Sequence, residues 1–183
     1  MNDSLANGGE DREDPVRRVF LALWPDDATR AALHHVARSL PRGRGVPTAH
    51  LHLTLAFPGN VGIDVADCLA ERLNFLAFSP IPLVLDRLGH FAGPRVTWIG
   101  PRRAPEALEQ LAAEARGLCL ACGVRADARP FVPHVTLRRF ARPSTCLDLD
   151  EPMHWFADTL VLVESGNDGH PGPYRLLARW PEK

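Results

Sequence analysis

Leu51 to Phe57 reads LHLTLAF, and Pro133 to Arg139 reads PHVTLRR, so a His and a Thr two residues apart recur in two apolar, alternating runs. Successive side chains of a strand point to opposite faces. Alternation therefore places Leu51, Leu53, Leu55 and Phe57 on a core-building face, with His52, Thr54 and Ala56 on the other. The second copy sorts the same way, with Val135 and Leu137 inward and His134 and Thr136 together on the opposite side.

Two imidazoles facing one substrate can hold opposite protonation states near neutral pH, one accepting a proton and one donating it. Such a pair suits displacement at phosphorus, where a base activates the attacking hydroxyl and an acid protonates the leaving oxygen. A Thr two residues along lies roughly 6.5 Å further down the same face. Its hydroxyl can donate to a non-bridging phosphate oxygen. A single His-x-Thr is weak evidence, since Thr is at home in sheets; two copies aligned on the polar face are harder to reach by accident. His50 and His52 also form an HxH that could ligate zinc, but neighbouring positions offer Thr rather than carboxylates, so no metal site is expected.

The chain has 183 residues, 45% hydrophobic and 23% charged, enough for one domain with a real core. A net charge of −1 argues against strong non-specific binding to nucleic acid or membrane, so an anionic ligand must be met locally. Lys183 is the only lysine, which leaves the positive charge to arginine, suited to bidentate phosphate contact. No apolar run approaches the roughly 18 residues of a membrane span. Residues 1–15 read as a polar, flexible tail without a secretory signal, and a cytoplasmic location is expected. Cys68, Cys119, Cys122 and Cys146 show no disulfide framework and are read as reduced, buried thiols.

Val16 to Trp24 predicts a central strand, Ala28 to Leu40 an amphipathic helix after Pro25 and Asp26, and Asp64 to Leu76 a second helix. His34 and His35 are read as surface residues. Pro58 and Gly59 are expected to end the first His strand. Ile81 to Leu88 and Arg95 to Ile99 read as strands joined by GHFAGP, and Pro105 to Cys122 as a third helix stopped by Gly123. Ala126 to Arg139 carries the second His strand, followed by a polar loop through Pro152 and strands at Asp158 to Glu164 and Tyr174 to Trp180, separated by SGNDGHPGP. His90, His154 and His170 fall in predicted loops. The interleaved order predicts an α+β fold with mixed or antiparallel sheets.

LHLTLAF and PHVTLRR resemble the two HxTx signatures of the 2H phosphoesterase superfamily, and more narrowly the RNA 2',3'-cyclic phosphodiesterases formerly described as 2'-5' RNA ligases. RVFLALWP, LGHFAGPRVTWIG, RPFVPHVTLRR, LVLVES and YRLLARWP fall in the order of that family, covering Arg17 to Pro181. The resemblance implies a bilobal domain over residues 16–183, two pseudo-repeated lobes of mainly antiparallel sheet with helices outside and a central cleft. It implies hydrolysis, without a metal, of the terminal 2',3'-cyclic phosphate of RNA ends or nucleotides to a 2'-phosphate; a monomer without a cofactor is expected. Carried onto this chain, His52 is the proton donor, His134 the acceptor, and Thr54 and Thr136 bind the phosphate. The family also favours an Arg five places after its second His, here Arg139. Strict alternation points Arg138 rather than Arg139 to the His134 face; only a bulge or the strand's end turns Arg139 inward. The family departs from this chain at Pro58, Val132 and Val163. Ligation or cleavage of 2'-5' linkages uses the same chemistry, and a non-catalytic RNA-end binder would keep the same pocket.

Overall fold

The β-branched and aromatic run near the start of the chain forms β1 (Val16–Leu23). Asp26 then caps α1 (Asp27–Ser39), its carboxylate accepting from the Thr29 amide at 2.7 Å and so satisfying one of the helix's free N–H groups. A two-residue β2 (Arg44–Gly45) precedes β3 (Leu53–Gly62), α2 (Ile63–Leu73), β4 (Ile81–Phe91) and β5 (Val96–Gly100). The chain continues through α3 (Glu106–Ala121), β6 (Val135–Arg139), β7 (Leu147–Ala157), β8 (Leu160–Ser165) and β9 (Arg175–Trp180). The structure is a computed structural model describing residues 16–40, 43–76, 78–141, 147–166 and 173–181. The expected N-terminal tail, Cys146, His170 and most of SGNDGHPGP lie outside the described residues.

Every strand pairing is antiparallel, in the order β7-β4-β5-β6-β3-β1-β8-β9, with β2 beside β6. The two halves mirror each other about the centre. From the middle outward one half runs β3, β1, β8, β9 and the other β6, β5, β4, β7, and the two His-x-Thr segments meet where the halves join, through the pairing of Leu53 with Val135. A helix links the two inner strands on each side, α1 between β1 and β3 and α3 between β5 and β6.

The large core lies between the sheet and the helices. Leu53, Leu55, Val135 and Leu137 pack there with Leu33 and Ala37 of α1, Leu69 and Leu73 of α2, and Leu108 and Leu111 of α3, all essentially inaccessible to water. Truncating one such leucine to alanine costs about 2–5 kcal/mol. A small second cluster, Phe20, Ala22, Val161 and Val163, occupies the opposite face with Trp24, Phe57 and Tyr174 against it. One face of the sheet is thus spent on helices, and the other is left for the cleft.

Several expectations need correction. β3 does not stop at Pro58 and Gly59 but runs to Gly62. A bulge accommodates them: Val19 to Leu21 of β1 faces Ala56 to Gly59 of β3, and Gly59 takes φ +81, a setting where a proline's missing N–H and a glycine's free backbone are tolerated. The expected loop before Pro152 contains β7, paired with β4 as the edge of the sheet. Its polar sequence LDLDEP hides the strand because this part is exposed and bulged against Leu85 to Arg87. Within the segment from Ala126 to Arg139 the second His strand covers Val135–Arg139, and α2 ends at Leu73 rather than Leu76. His90 and His154 lie in β4 and β7, not in loops. His34 is half-buried, its Nδ1 3.1 Å from Thr48 Oγ1, whereas His35 is exposed.

The cysteines are corrected too. Cys68 of α2 is disulfide-bonded to Cys122 at the C-cap of α3, with their Cα atoms 5.9 Å apart. The two positions are 54 residues apart in sequence, so only the packing of the helices brings them together. Cys119 fits the buried-thiol reading: it donates to the Ala115 carbonyl at 3.2 Å, and burial pushes its thiol up to about 11.

Candidate active site

His52 and His134 stand immediately before β3 and β6, where the chain enters the sheet. Each imidazole is fixed in the same way. His52 Nδ1 donates to the His50 carbonyl at 2.6 Å, and His134 Nδ1 donates to the Val132 carbonyl at 2.7 Å. A carbonyl only accepts, so in both rings the hydrogen sits on Nδ1 and Nε2 remains the nitrogen that can take up or release a proton. Aromatic rings hold the imidazoles in place: Phe20 stacks on His52 at 4.6 Å, and the edge of Phe91 meets His134 at 4.9 Å.

Leu53 pairs with Val135 in antiparallel register. Carried one residue either way, that register sets His52 across from Thr136 and Thr54 across from His134, so each imidazole faces the other motif's hydroxyl. Residues directly opposite have Cβ atoms roughly 4.5–5.5 Å apart. That register places the four residues at the junction of the two halves, with the two histidines on diagonal positions.

A cavity of about 540 Å³ opens beside them. Of the residues expected at the site, His52, Thr54, Thr136 and Arg139 line it; His134 does not, standing across the β3·β6 junction with its ring against Phe91 and Trp98. It is still near enough for its charge to act on His52. Burial is the main force on both rings. It brings His52 down to about 4, assisted by the charges of Arg139, His134 and His50 and opposed by the hydrogen bond to the His50 carbonyl. His134 is also lowered, by burial first and by Arg129 and Arg139, against its own carbonyl bond. Without an anion both imidazoles are neutral at pH 7.

The competition between Arg138 and Arg139 is decided by a bulge. Trp98 pairs with Thr136, but Thr97 pairs with Arg138, so one step along β5 spans two along β6 and Leu137 is the extra residue. Alternation reverses beyond it. Arg139 turns into the cavity, while Arg138 turns to the helical side, donating to the carbonyls of Ala37 at 2.8 Å and Gly43 at 2.7 Å. The first motif has the same device: Ala22 pairs with Thr54 but Leu21 with Ala56, making Leu55 the extra residue. Ala56 accordingly joins the core, and Phe57, expected in the core, lines the cavity. In both copies the residue five places after the His is brought to the cleft.

Sequence reading missed Arg18, Phe20, Arg44 and Tyr174, and weighed His50 only as half of a zinc-type HxH; all five line the cavity. Strand alternation in Val16–Leu23 carried a signal for Arg18 and Phe20. Arg44 comes from a short connecting segment with no period to read, and Tyr174, expected to open the last strand, stands just before it; His50 stacks on Tyr174 at 4.1 Å, and burial lowers the one and raises the other. Among the described residues, no three His, Cys, Asp or Glu side chains come together in a way that could hold a metal ion.

A pseudo-twofold antiparallel sheet that presents two backbone-anchored histidines, each facing a threonine, is the architecture of a 2H phosphoesterase. Residues 24–169 match the model of the 2'-5' RNA ligase superfamily, and the chain belongs to that family. It is 35% identical to the RNA 2',3'-cyclic phosphodiesterase of Escherichia coli K12 over 130 residues, 70% of this chain and 74% of that protein. The enzyme of the same name from Archaeoglobus fulgidus is 32% identical over 131 residues, 68% of this chain and 73% of that one. The fold matches the crystal structure of E. coli LigT complexed with 3'-AMP at a TM-score of 0.78 and 30% identity, covering 91% of this chain and 98% of the other.

Proposed function

We propose that this protein hydrolyses RNA ends bearing a 2',3'-cyclic phosphate, leaving a 2'-phosphate, with His134 as base and His52 as acid. The observation that carries the reading is the matched pair of Nδ1-to-carbonyl bonds, which leaves both Nε2 atoms free for proton transfer. Water attacks phosphorus as His134 Nε2 takes its proton. The P–O3' bond breaks, and the Nε2–H of His52 supplies the proton that the 3' oxygen needs. Each transfer contributes roughly 10² to 10⁴ in rate.

Thr54 and Thr136 donate to the non-bridging oxygens, and the Arg139 guanidinium neutralises charge that grows on them. The bound anion also supplies what the empty site lacks. A negative phosphate between the rings favours imidazolium, so substrate itself recruits the proton that His52 then delivers. No metal is assigned a part in these steps. A cytoplasmic, monomeric enzyme fits such a substrate, and residues 16–183 are taken as one catalytic unit.

Incubating the purified protein in EDTA with an oligoribonucleotide ending in a 2',3'-cyclic phosphate tests the reading. A 2'-phosphate product is expected, and it should vanish with His52→Ala or His134→Ala in a folded protein. A 3'-phosphate product would reverse the acid and base assignment, and a requirement for added divalent metal would overturn the mechanism.

A further inference from the structure

A single cyclic phosphate carries one negative charge, and Arg139 with two threonines and an imidazolium is enough to meet it. The cavity holds more than that. Arg18 and Arg44 line it as well, no carboxylate is among its described lining residues, and none of the three arginines has a salt-bridge partner among the described residues.

Arg44 stands out by its placement. It pairs directly across from Arg139 in the β2·β6 ladder, and like charges in directly opposite positions repel. The local backbone is shaped to keep them there. Gly43 takes φ +113, and a Cβ on it would lie 3.0 Å from the Arg139 carbonyl oxygen and 3.1 Å from the Ala141 Cα. Phe140, next to Arg139, adopts φ +54, which a non-glycine residue reaches only at a cost. Its ring lies under Arg44, the guanidinium carbon 5.5 Å from the ring centroid, and keeps that cation at the cavity wall. Three irregularities, the Leu137 bulge, Gly43 and Phe140, thus converge on holding two repelling cations side by side. A second anion next to the reacting phosphate relieves that repulsion.

We infer that Arg44, seated on Phe140, binds the phosphate on the 5' side of the terminal nucleotide, the one preceding the cyclic phosphate in an RNA chain. The inference rests on the cyclic-phosphodiesterase reading and adds what that reading leaves open: the cavity takes two consecutive phosphates, favouring chain ends over isolated cyclic nucleosides. Consecutive phosphates of one strand are separated by a single ribose, a span that arginines on neighbouring strands can bracket.

The experiment compares adenosine 2',3'-cyclic phosphate with its 5'-phosphorylated form, in the wild type, Arg44→Gln and Arg44→Lys. The 5'-phosphate should raise kcat/KM about tenfold in the wild type, as one charge-assisted contact does. The ratio should collapse toward one in R44Q and recover in part in R44K. Equal losses on both substrates would place Arg44 at the reacting phosphate or in the fold, and no preference in the wild type would remove the subsite; either result overturns the inference. Binding of adenosine 3',5'-bisphosphate against 3'-AMP separates it from failure of the parent reading. If neither cyclic substrate turns over, the hydrolase reading falls, while tighter bisphosphate binding that R44Q abolishes still supports the subsite and equal binding overturns it.

Discussion

Raising the assay pH probes the two imidazoles most directly. Burial, followed by the charges of Arg139, His134 and His50, brings His52 down to about 4, and burial with Arg129 and Arg139 lowers His134 from 6.5. With His52 as donor and His134 as acceptor, the productive free enzyme has the first protonated and the second neutral. At pH 7 a group titrating near 4 is protonated in roughly one molecule in 10³. Above both titrations that fraction falls tenfold for each pH unit. Because kcat/KM reports the free enzyme, it should peak below pH 6.5 and fall about tenfold between pH 7 and 8. The limbs give values for the interacting pair rather than for either ring alone. In the complex the phosphate's charge favours imidazolium, so both limbs of kcat should lie at higher pH than those of kcat/KM. Initial rates on a 2',3'-cyclic mononucleotide from about pH 4.5 to 9, at fixed ionic strength, give both profiles. A kcat/KM that is flat or rising between about pH 6.5 and 8 would refute the reasoning.

Arg139→Ala should lower kcat/KM by about 10- to 100-fold with little change in melting temperature. Arg138→Ala should do the opposite, leaving the Ala37 and Gly43 carbonyls without their donor and costing about 1.5–3 kcal/mol in denaturant unfolding; the reverse pattern would put the wrong arginine in the cleft. Reducing the Cys68–Cys122 bond releases a loop of 54 residues, a loss of about 4 kcal/mol on chain entropy. Urea midpoints with and without reductant measure it, and a Cys68→Ser, Cys122→Ser protein should not respond; an unchanged wild-type midpoint contradicts the pairing. The depressed His52 also makes stability depend on pH. As pH falls below 6.5 the unfolded chain takes up the proton first, so stability present above 6.5 is lost progressively through about 4. Between pH 7 and 5 the loss from this group is about 2 kcal/mol, and His52→Gln should flatten the slope of unfolding free energy against pH.

The strands and helices carrying the site were legible because their patterns were local. Leu51, Leu53, Val135 and Leu137 alternate with the polar residues and are fully buried, and the stripes of α1 and α3 face the same core. The first half of β7 was not legible, because residues 147–152 are mostly exposed and bulged against β4 and have no buried face to impose alternation, which begins only at Met153, Trp155 and Ala157. His90 was missed for a related reason. The β4–β5 hairpin extends to Phe91 and Val96, so GHFAGP lies partly in the ladder, with only a tight turn ending at Arg95.

The sequence by itself determined that two His-x-Thr segments enter a sheet with their polar side chains on one face, since a period of two requires nothing beyond neighbouring residues. It did not determine how far that period runs. Leu55 and Leu137 are ordinary apolar residues, and their being bulged depends on registers set by β1 and β5, strands distant in sequence. Those two extra residues turn Phe57 and Arg139 into the cleft and send Arg138 to α1. The tertiary structure alone also brought Arg44 across from Arg139 and Cys68 to Cys122. Such long-range pairings form because packing the helices and closing the sheet lowers the free energy of the whole chain, and no single segment records them.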